Sequence, residues 1–397
     1  MPKSTSEPVT EPTSPEITEP SGTESEAHYM VADTGQDKCY NNSREIPCPK
    51  PGEPFYGQDA QYQGNQPSYK DNSDGTITDL VTGLMWVKQR GSKLTWQDAV
   101  DGESTCRIGG YNDWRMPTIK ELYSLINFNG GFHITEAAST PYIDTHYFEF
   151  KYGDESAGER LIDCQDWSAT QYLGTTMGGE STVFGVNFAD GRIKGYPRDR
   201  HPRGGLNLLY IRYVRDNAEY GINNFVDNND GTITDLATGL MWTKADSGKT
   251  MNWEDALDYS ENLNYAGHND WRLPNAKELQ SIVDYTRAPL ITDSAAIAPI
   301  FSVTEIESYY WTSTTHLDGP SDIQGTTAVY VAFGRAMGYM QIPPGSPNYQ
   351  FMDVHGAGAQ RSDPKAGNPS EYPQGRGPQG DDIRIYNYVR CVRNSNQ

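Results

Sequence analysis

A chain of 397 residues with a formal charge of −21 has room for two or three domains. A surface so acidic repels phosphate backbones and anionic lipid, which argues against nucleic acid as a partner. There is no run of about 18 apolar residues, so no membrane-spanning helix is expected.

Residues 1–28 are Ser, Thr, Glu, Pro and Gly almost throughout, with six Glu against one Lys. Such a segment buries too little apolar surface to offset its ordering entropy and reads as a disordered stalk. Its start is polar and lacks a signal-peptide pattern, so export is expected to rely on a signal or anchor not present in this chain. Residues 29–70 are rich in Tyr, Pro and Asn, and are expected to wrap onto the following repeat as irregular structure. Cys39 and Cys48 stand close together there without His neighbours, which predicts a disulfide-closed loop and an oxidising compartment.

The remainder, 71–217 and 218–397, reads as a tandem duplication. Each copy opens on a turn of Asp, Asn and Gly followed by Thr76-Ile77-Thr78-Asp79 or Thr232-Ile233-Thr234-Asp235, and then a second short strand ending at Trp86 or Trp242. The Asx residues suit turn chemistry better than a calcium loop, because no Glu closes such a loop at its twelfth position. A first helix starts at Thr95-Trp96 or Asn252-Trp253. A second follows Asn112-Asp113-Trp114-Arg115-Met116-Pro117 or Asn269-Asp270-Trp271-Arg272-Leu273-Pro274. There Thr118 with Glu121, and Asn275 with Glu278, are spaced to cap it. Arg115 and Arg272, beside Asp113 and Asp270, are expected to anchor neighbouring loops through bidentate hydrogen bonds. Trp86, Trp96, Trp114 and Trp167 match Trp242, Trp253, Trp271 and Trp311 in order, which marks them as core residues. Strands around Val183–Val186 and Ala328–Val331 lead to Gly191-Arg192 and Gly334-Arg335, and each copy closes on a strand, 209–215 or 385–393. One difference separates the copies. Between the Gly-Arg turn and the closing strand, repeat 2 carries a loop, 341–382, for which repeat 1 has only a short connection; loops of this length are commonly functional or disordered.

The motifs Asp-Gly-Thr-x-Thr-Asp-x-x-Thr-Gly-Leu-Met-Trp, Asp-Trp-Arg-Leu-Pro-x-x-x-Glu-Leu and Tyr-Val-Arg-Cys-Val-Arg resemble those of the Lcl C-terminal domain family, over about 71–217 and 225–394. The resemblance implies an α+β fold made of two tandem C-type-lectin-like domains of the formylglycine-generating-enzyme kind. Each would have two helices on short, twisted antiparallel sheets with long loops. It further implies a bacterial extracellular or cell-surface location, with the periplasm as an alternative, and an adhesin-like, glycan-binding role. In this family a Cys of the first helix commonly partners a closing-strand Cys. Repeat 1 lacks the latter, and repeat 2 has Cys391 but Ser260 at the helix position. The expected pairing is therefore Cys106 with Cys164, leaving Cys391 free and buried; the alternatives are Cys106–Cys391 and Cys164–Cys391.

The expected function is that of a non-enzymatic binding module recognising a glycan or another surface protein. The alternative is a self-assembling structural subunit, and the third reading is an oxidase like the formylglycine-generating enzymes. The chain has no His-Glu-x-x-His, no Gly-x-Ser-x-Gly and no phosphate loop, and neither a metal nor a cofactor is expected. The expected ligand face is the repeat 2 loop. His355, Gln360, Arg361 and Asp363 offer mixed donors and acceptors, and a C-type-lectin-like fold would set Trp311, His316 and Arg335 near the loop's roots. The competing reading is that these polar groups brace the loop against repeat 1.

Overall fold

The computed structural model describes residues 29–201, 204–320, 324–343 and 345–395; the stalk expected over 1–28 lies outside them. The N-terminal segment carries a small ladder, β1 (Cys39–Tyr40) and β2 (Glu45–Ile46), closed by the Cys39–Cys48 disulfide. In repeat 1, β3 (Tyr69–Asp71), β4 (Thr76–Asp79) and β5 (Met85–Val87) are followed by α1 (Trp96–Glu103) and α2 (Ile119–Ser124). Then come the longer strands β6 (Asp166–Thr176), β7 (Glu180–Asn187) and β8 (Arg192–Pro197), and β9 (Val214–Arg215) returns to pair with β5. Repeat 2 follows the same plan. Its elements are β10 (Phe225–Asp227), β11 (Thr232–Asp235), β12 (Leu240–Thr243), α3 (Trp253–Glu261), α4 (Ala276–Ser281) and a short extra turn, α5 (Pro289–Thr292). Its strands β13 (Tyr309–His316) and β14 (Thr327–Ala332) precede a hairpin of β15 (Met337–Gln341) and β16 (Tyr349–Asp353). Next come β17 (Gln360–Pro364) and the closing β18 (Val392–Asn394), which pairs with β12.

Local chemistry places these elements as the sequence predicts. Thr95 and Asn252 accept from the backbone N–H groups of Asp98 and Asp255, and both capping boxes close, Thr118 with Glu121 and Asn275 with Glu278. The turn carboxylates of Asp74 and Asp230 each accept from the N–H and hydroxyl of the Thr two residues on. The two motif arginines differ from expectation. Arg115 and Arg272 make bidentate pairs with the capping glutamates, Glu121 at 2.7 and 2.6 Å and Glu278 at 2.6 and 2.6 Å. The motif aspartates instead hold the closing strands: Asp113 takes Arg215 and Asp270 takes Arg393. The motif thus ties a helix start to a closing strand, and Arg115 also reaches a loop, donating to Asp216 O at 3.3 Å just beyond β9.

The two long-strand sets fuse. The sheet order is β13-β14-β17-β8-β7-β6, antiparallel throughout, with β17 and β8 joined by a single register pair, Gln360 with Ile193. This palindromic order is what an approximate twofold between the repeats produces. The second helices obey it as well. Lys120 on α2 donates to Ser281 O at the end of α4 (2.6 Å), and Lys277 on α4 donates to Ser124 O at the end of α2 (2.8 Å), each cation satisfying a carbonyl left over at the other helix's C-terminus. The main apolar core draws on both repeats, Trp86, Leu122 and Phe184 with Trp242, Leu279 and Val329, while a smaller cluster around Trp114 and Trp167 belongs to repeat 1. Equivalent tryptophans keep equivalent partners. The Nε1 of Trp96 and of Trp253 donates to the carbonyl of Ser168 and of Thr312, and that of Trp167 and of Trp311 to the carbonyl of Leu94 and of Met251. Trp96 alone of the eight is only partly buried.

Three expectations are corrected. First, the stretch 341–382 contains β16 and β17, because the chain after Gly334-Arg335 leaves as a hairpin and returns to fill, as β17, the sheet position that β8 fills in repeat 1. Second, the N-terminal segment straddles both repeats, and much of its buried polar bonding goes to repeat 2, as with Gln36 to Thr315 and Asp59 to Thr314. Third, Cys106 and Cys164 are not bonded. Cys164 is buried with its thiol directed at Leu161 O and Asn187, and Tyr213 occupies the closing-strand place of Cys391. The Tyr213 hydroxyl donates to Ala99 O at 2.7 Å on α1, over Gly102, where a Cβ would lie 2.1 Å from it. Cys391 is free and buried, its Sγ 3.5 Å from Ser260 Oγ.

Candidate functional site

The structure separates the residues that the sequence singles out. Trp311 lies in the core. Arg335, partly exposed, pairs with Glu307 at 2.6 Å. Asp363 on β17 is fully buried and accepts from the backbone N–H groups of Arg384 and Ile385 and from Asn387, so it fixes the chain's return to the closing strand. Burial pushes its carboxyl up to about 7. The Gln360 side chain is buried against its own strand, donating to Arg361 O. His316 ends β13, stacks on Tyr142 and lies 2.8 Å from Asp190 O; burial, with Arg192 beside it, holds the imidazole down at about 3 and therefore neutral.

His355 and Arg361 do come together. Both bind Asp381, His355 through Nε2 at 3.1 Å and Arg361 through Nη2. Burial and the adjacent Arg361 push the His355 imidazole down to about 4. Burial alone would raise the Asp381 carboxyl, but Arg361 and His355 hold it far below the usual range.

Across the seam, β8 presents a second charged row that sequence reasoning missed. Asp190 leads into the strand, and Arg192 and Lys194 follow at two-residue spacing, which places them on one face. Lys194 bonds Asp190, while Arg192 reaches Asp190 at 3.3 Å and Asp318 at 2.5 Å. Burial lowers the Lys194 ammonium to about 8, and although burial opposes it, the Lys194 and Arg192 charges pull the Asp190 carboxyl below its ordinary value. The alternation Asp190-Gly191-Arg192-Ile193-Lys194 was the legible signal.

Two adjoining hollows open along this seam. One, of about 410 Å³, is lined by Arg160, Lys194, Tyr196, Leu208, His355 and Gln379 among others. The other, of about 250 Å³, is lined by Arg192, Lys194, Asp318, Arg361, Arg376 and Asp381 among others, and shares Ile162, Lys194 and Gln379 with the first. Four cations (Arg192, Lys194, Arg361, Arg376) face three carboxylates (Asp190, Asp318, Asp381) in the smaller hollow, a locally cationic spot on an acidic protein. A larger cavity, about 620 Å³, lies between the N-terminal segment and the repeat 2 motif, walled by Asp59, Tyr62, Glu261, Asp270, Arg272 and Arg393 among others. Its two arginines are already engaged by Glu278 and Asp270, so its remaining character is acidic.

The Lcl C-terminal domain model matches residues 75–215 and 231–351, more than half of the chain, and both matches include the Trp-Arg-x-Pro motif. The chain belongs to the Lcl C-terminal domain family. The second match ends at Phe351, inside β16, where the inserted hairpin takes an Lcl C-terminal domain off the path that repeat 1 follows. No curated protein and no solved structure matches the chain. No helix among the described residues is long and apolar enough to cross a membrane, and the Cys39–Cys48 disulfide suits an oxidising compartment.

Proposed function

We propose that this tandem Lcl C-terminal domain protein is a non-enzymatic, extracellular binding protein, adhesin-like in role, that takes a glycan in the cleft along the repeat seam. The observation that carries the reading is the composite build of that cleft: the inserted stretch of repeat 2 brings His355, Arg361 and Gln379 opposite Lys194 and Tyr196 of repeat 1. A hollow with mixed charged, amide and aromatic walls suits a hydroxyl-rich ligand, which needs both donors and acceptors. The C-type-lectin-like kinship implied by the family resemblance agrees. So does the state of the buried thiols: burial pushes Cys164 and Cys391 up to about 12, which makes both poor nucleophiles.

The test is a glycan array probed with the full chain, followed by titration of any hit against Gln379→Ala and Leu208→Gln. The Gln379 side chain makes no hydrogen bond among the described residues and Leu208 is exposed, so neither change should move Tm. Loss of glycan binding by at least tenfold at unchanged Tm is the expected result. An array without hits, or full binding by both variants, overturns the proposal.

A further inference from the structure

The approximate twofold predicts a second slot, and the structure contains it unfilled. On repeat 2, the N-terminal segment threads between the β13 edge and the loop after α2. The Gln36 carboxamide receives Thr315 N–H at 2.9 Å and donates to Thr315 O at 2.8 Å and to Phe128 O at 3.3 Å. Phe128 N–H donates to Thr34 O at 2.8 Å. Asp59 completes the filling by accepting from Thr34 at 2.8 Å and Thr314 at 2.5 Å.

Each receiving group has a twin on the other side. Thr170 matches Thr314: each hydroxyl accepts from the first backbone N–H of its second helix, Ile119 or Ala276, at 3.0 Å. Gln171 matches Thr315, being opposite Val183 on β7 as Thr315 is opposite Ala328 on β14, with the same register shift after the Trp. Its N–H and C=O therefore face the free sheet edge as those of Thr315 do. Tyr285 matches Phe128 in the loop after the second helix. The linker imitates the filler only at its start, where Lys120 donates to Gly221 O as Lys277 does to Asp33 O. Beyond Gly221 the linker turns off into β10.

What remains is a hollow of about 480 Å³ bounded by Ile119, Lys120, Thr170, Ile222, Val283 and Tyr285 among others. Among the described residues, Tyr285 N–H finds no acceptor, Tyr285 O no donor, and the Thr170 hydroxyl no acceptor. The twin groups around Phe128 and Thr314 are all engaged.

We propose that this slot on repeat 1 docks an extended segment of a partner protein. That segment would present a Gln or Asn carboxamide to the Gln171 edge, a backbone carbonyl to Tyr285 N–H and a carboxylate or hydroxyl to Thr170. The strand edge is recognised by the side-chain amide, as Gln36 recognises Thr315, and a main-chain bond to the loop after α4 adds to it, as Thr34 O does at Phe128. The occupant is assigned to another protein because the one segment of this kind, Thr34-Gly35-Gln36, is already seated on repeat 2 and residues 1–28 contain no Asn or Gln to present.

The probe is a synthetic peptide of residues 31–38, Val-Ala-Asp-Thr-Gly-Gln-Asp-Lys, titrated calorimetrically against the full chain, with amide exchange read by residue. The expected result is saturable 1:1 binding, at least tenfold weaker for the peptide with Ala in place of Gln36, with new protection at the Gln171 and Tyr285 amides. Ile222→Glu, a change at an exposed wall residue, should abolish binding and leave Tm unchanged. No binding at millimolar peptide overturns the proposal. So does protection confined to Thr315 and Phe128, which would mean that the peptide only displaces the chain's own segment. Concentration-dependent dimerisation that protects Gln171 without peptide overturns the assignment to a foreign partner and makes a second copy the occupant.

Discussion

Asp59 offers a sharp test of how the N-terminal segment is held. Its carboxyl is buried between Thr34 and Thr314, with Asp33 and Glu278 nearby. Burial raises it from 3.8 to about 7. A carboxyl whose folded value lies above its unfolded value stabilises the fold fully only below the unfolded value, and that contribution is lost as pH rises through the folded value. A shift of about three units corresponds to about 4 kcal/mol at pH 8, and to about 1.6 kcal/mol at pH 5, where only the interval above 3.8 counts. Asp59→Asn keeps an oxygen that accepts from both threonines and removes the charge.

The variant should therefore be more stable than the parent at pH 8 by several kcal/mol, with the gap shrinking by about 2–3 kcal/mol at pH 5. Urea denaturation followed by tryptophan fluorescence at the two pH values measures this, since Trp253 packs near the segment against Phe55. Taking variant minus parent at each pH cancels other raised carboxyls, such as Asp353 and Asp363. A gap that is flat with pH, or an asparagine variant less stable at pH 8, would refute the reasoning, because the carboxylate would then not be bearing a burial penalty.

Ser260→Cys should form a disulfide with Cys391, given the present 3.5 Å contact; the check is loss of the Cys391 thiol in a denatured, non-reduced titration together with a gain of about 2–4 kcal/mol. Arg361→Ala strips Asp381 of its guanidinium partner and should cost about 3–5 kcal/mol, read as a lowered urea midpoint; an unchanged midpoint would show that β17 does not brace the seam. Trp253→Ala should cost about 3–5 kcal/mol and Trp96→Ala clearly less, because Trp253 is covered by Phe55 and by Lys365 at 3.8 Å while Trp96 is partly exposed. Equal losses in thermal unfolding would contradict that asymmetry.

What the sequence disclosed was chemistry that closes within a few residues. The capping boxes at Thr118 and Asn275, the Asx turns at Asp74 and Asp230 and the Cys39–Cys48 loop all depend on neighbours within ten positions, and the paired tryptophans announce the duplication directly. What stayed hidden depends on partners far along the chain. Gln360-Arg361-Ser362-Asp363 reads as loop by composition. It is a strand because β14 and β8 supply its backbone partners and because Asp381 neutralises Arg361. Cys106 likewise misled, since the place of a closing-strand thiol is taken by Tyr213, whose fit depends on the absent side chain of Gly102.

The location of the cleft follows from the duplication. Each repeat ends its long sheet on an inner edge strand, β8 or β17, and the twofold sets these edges side by side. Two independently twisted sheets that meet this way stay in register over only a short length, and here they share one pair, Gln360 with Ile193. On either side of that bridge the strands diverge, and backbone bonding gives way to side chains that reach across, such as Arg192 to Asp318. Charged side chains are therefore buried at the seam because strand pairing fails there, and the hollows beside Lys194 are the space left by the divergence. A binding cleft at this position requires the inserted stretch of repeat 2, because β17, His355 and Gln379 all arrive with it. A single repeat carries one wall of the cleft and cannot form it alone.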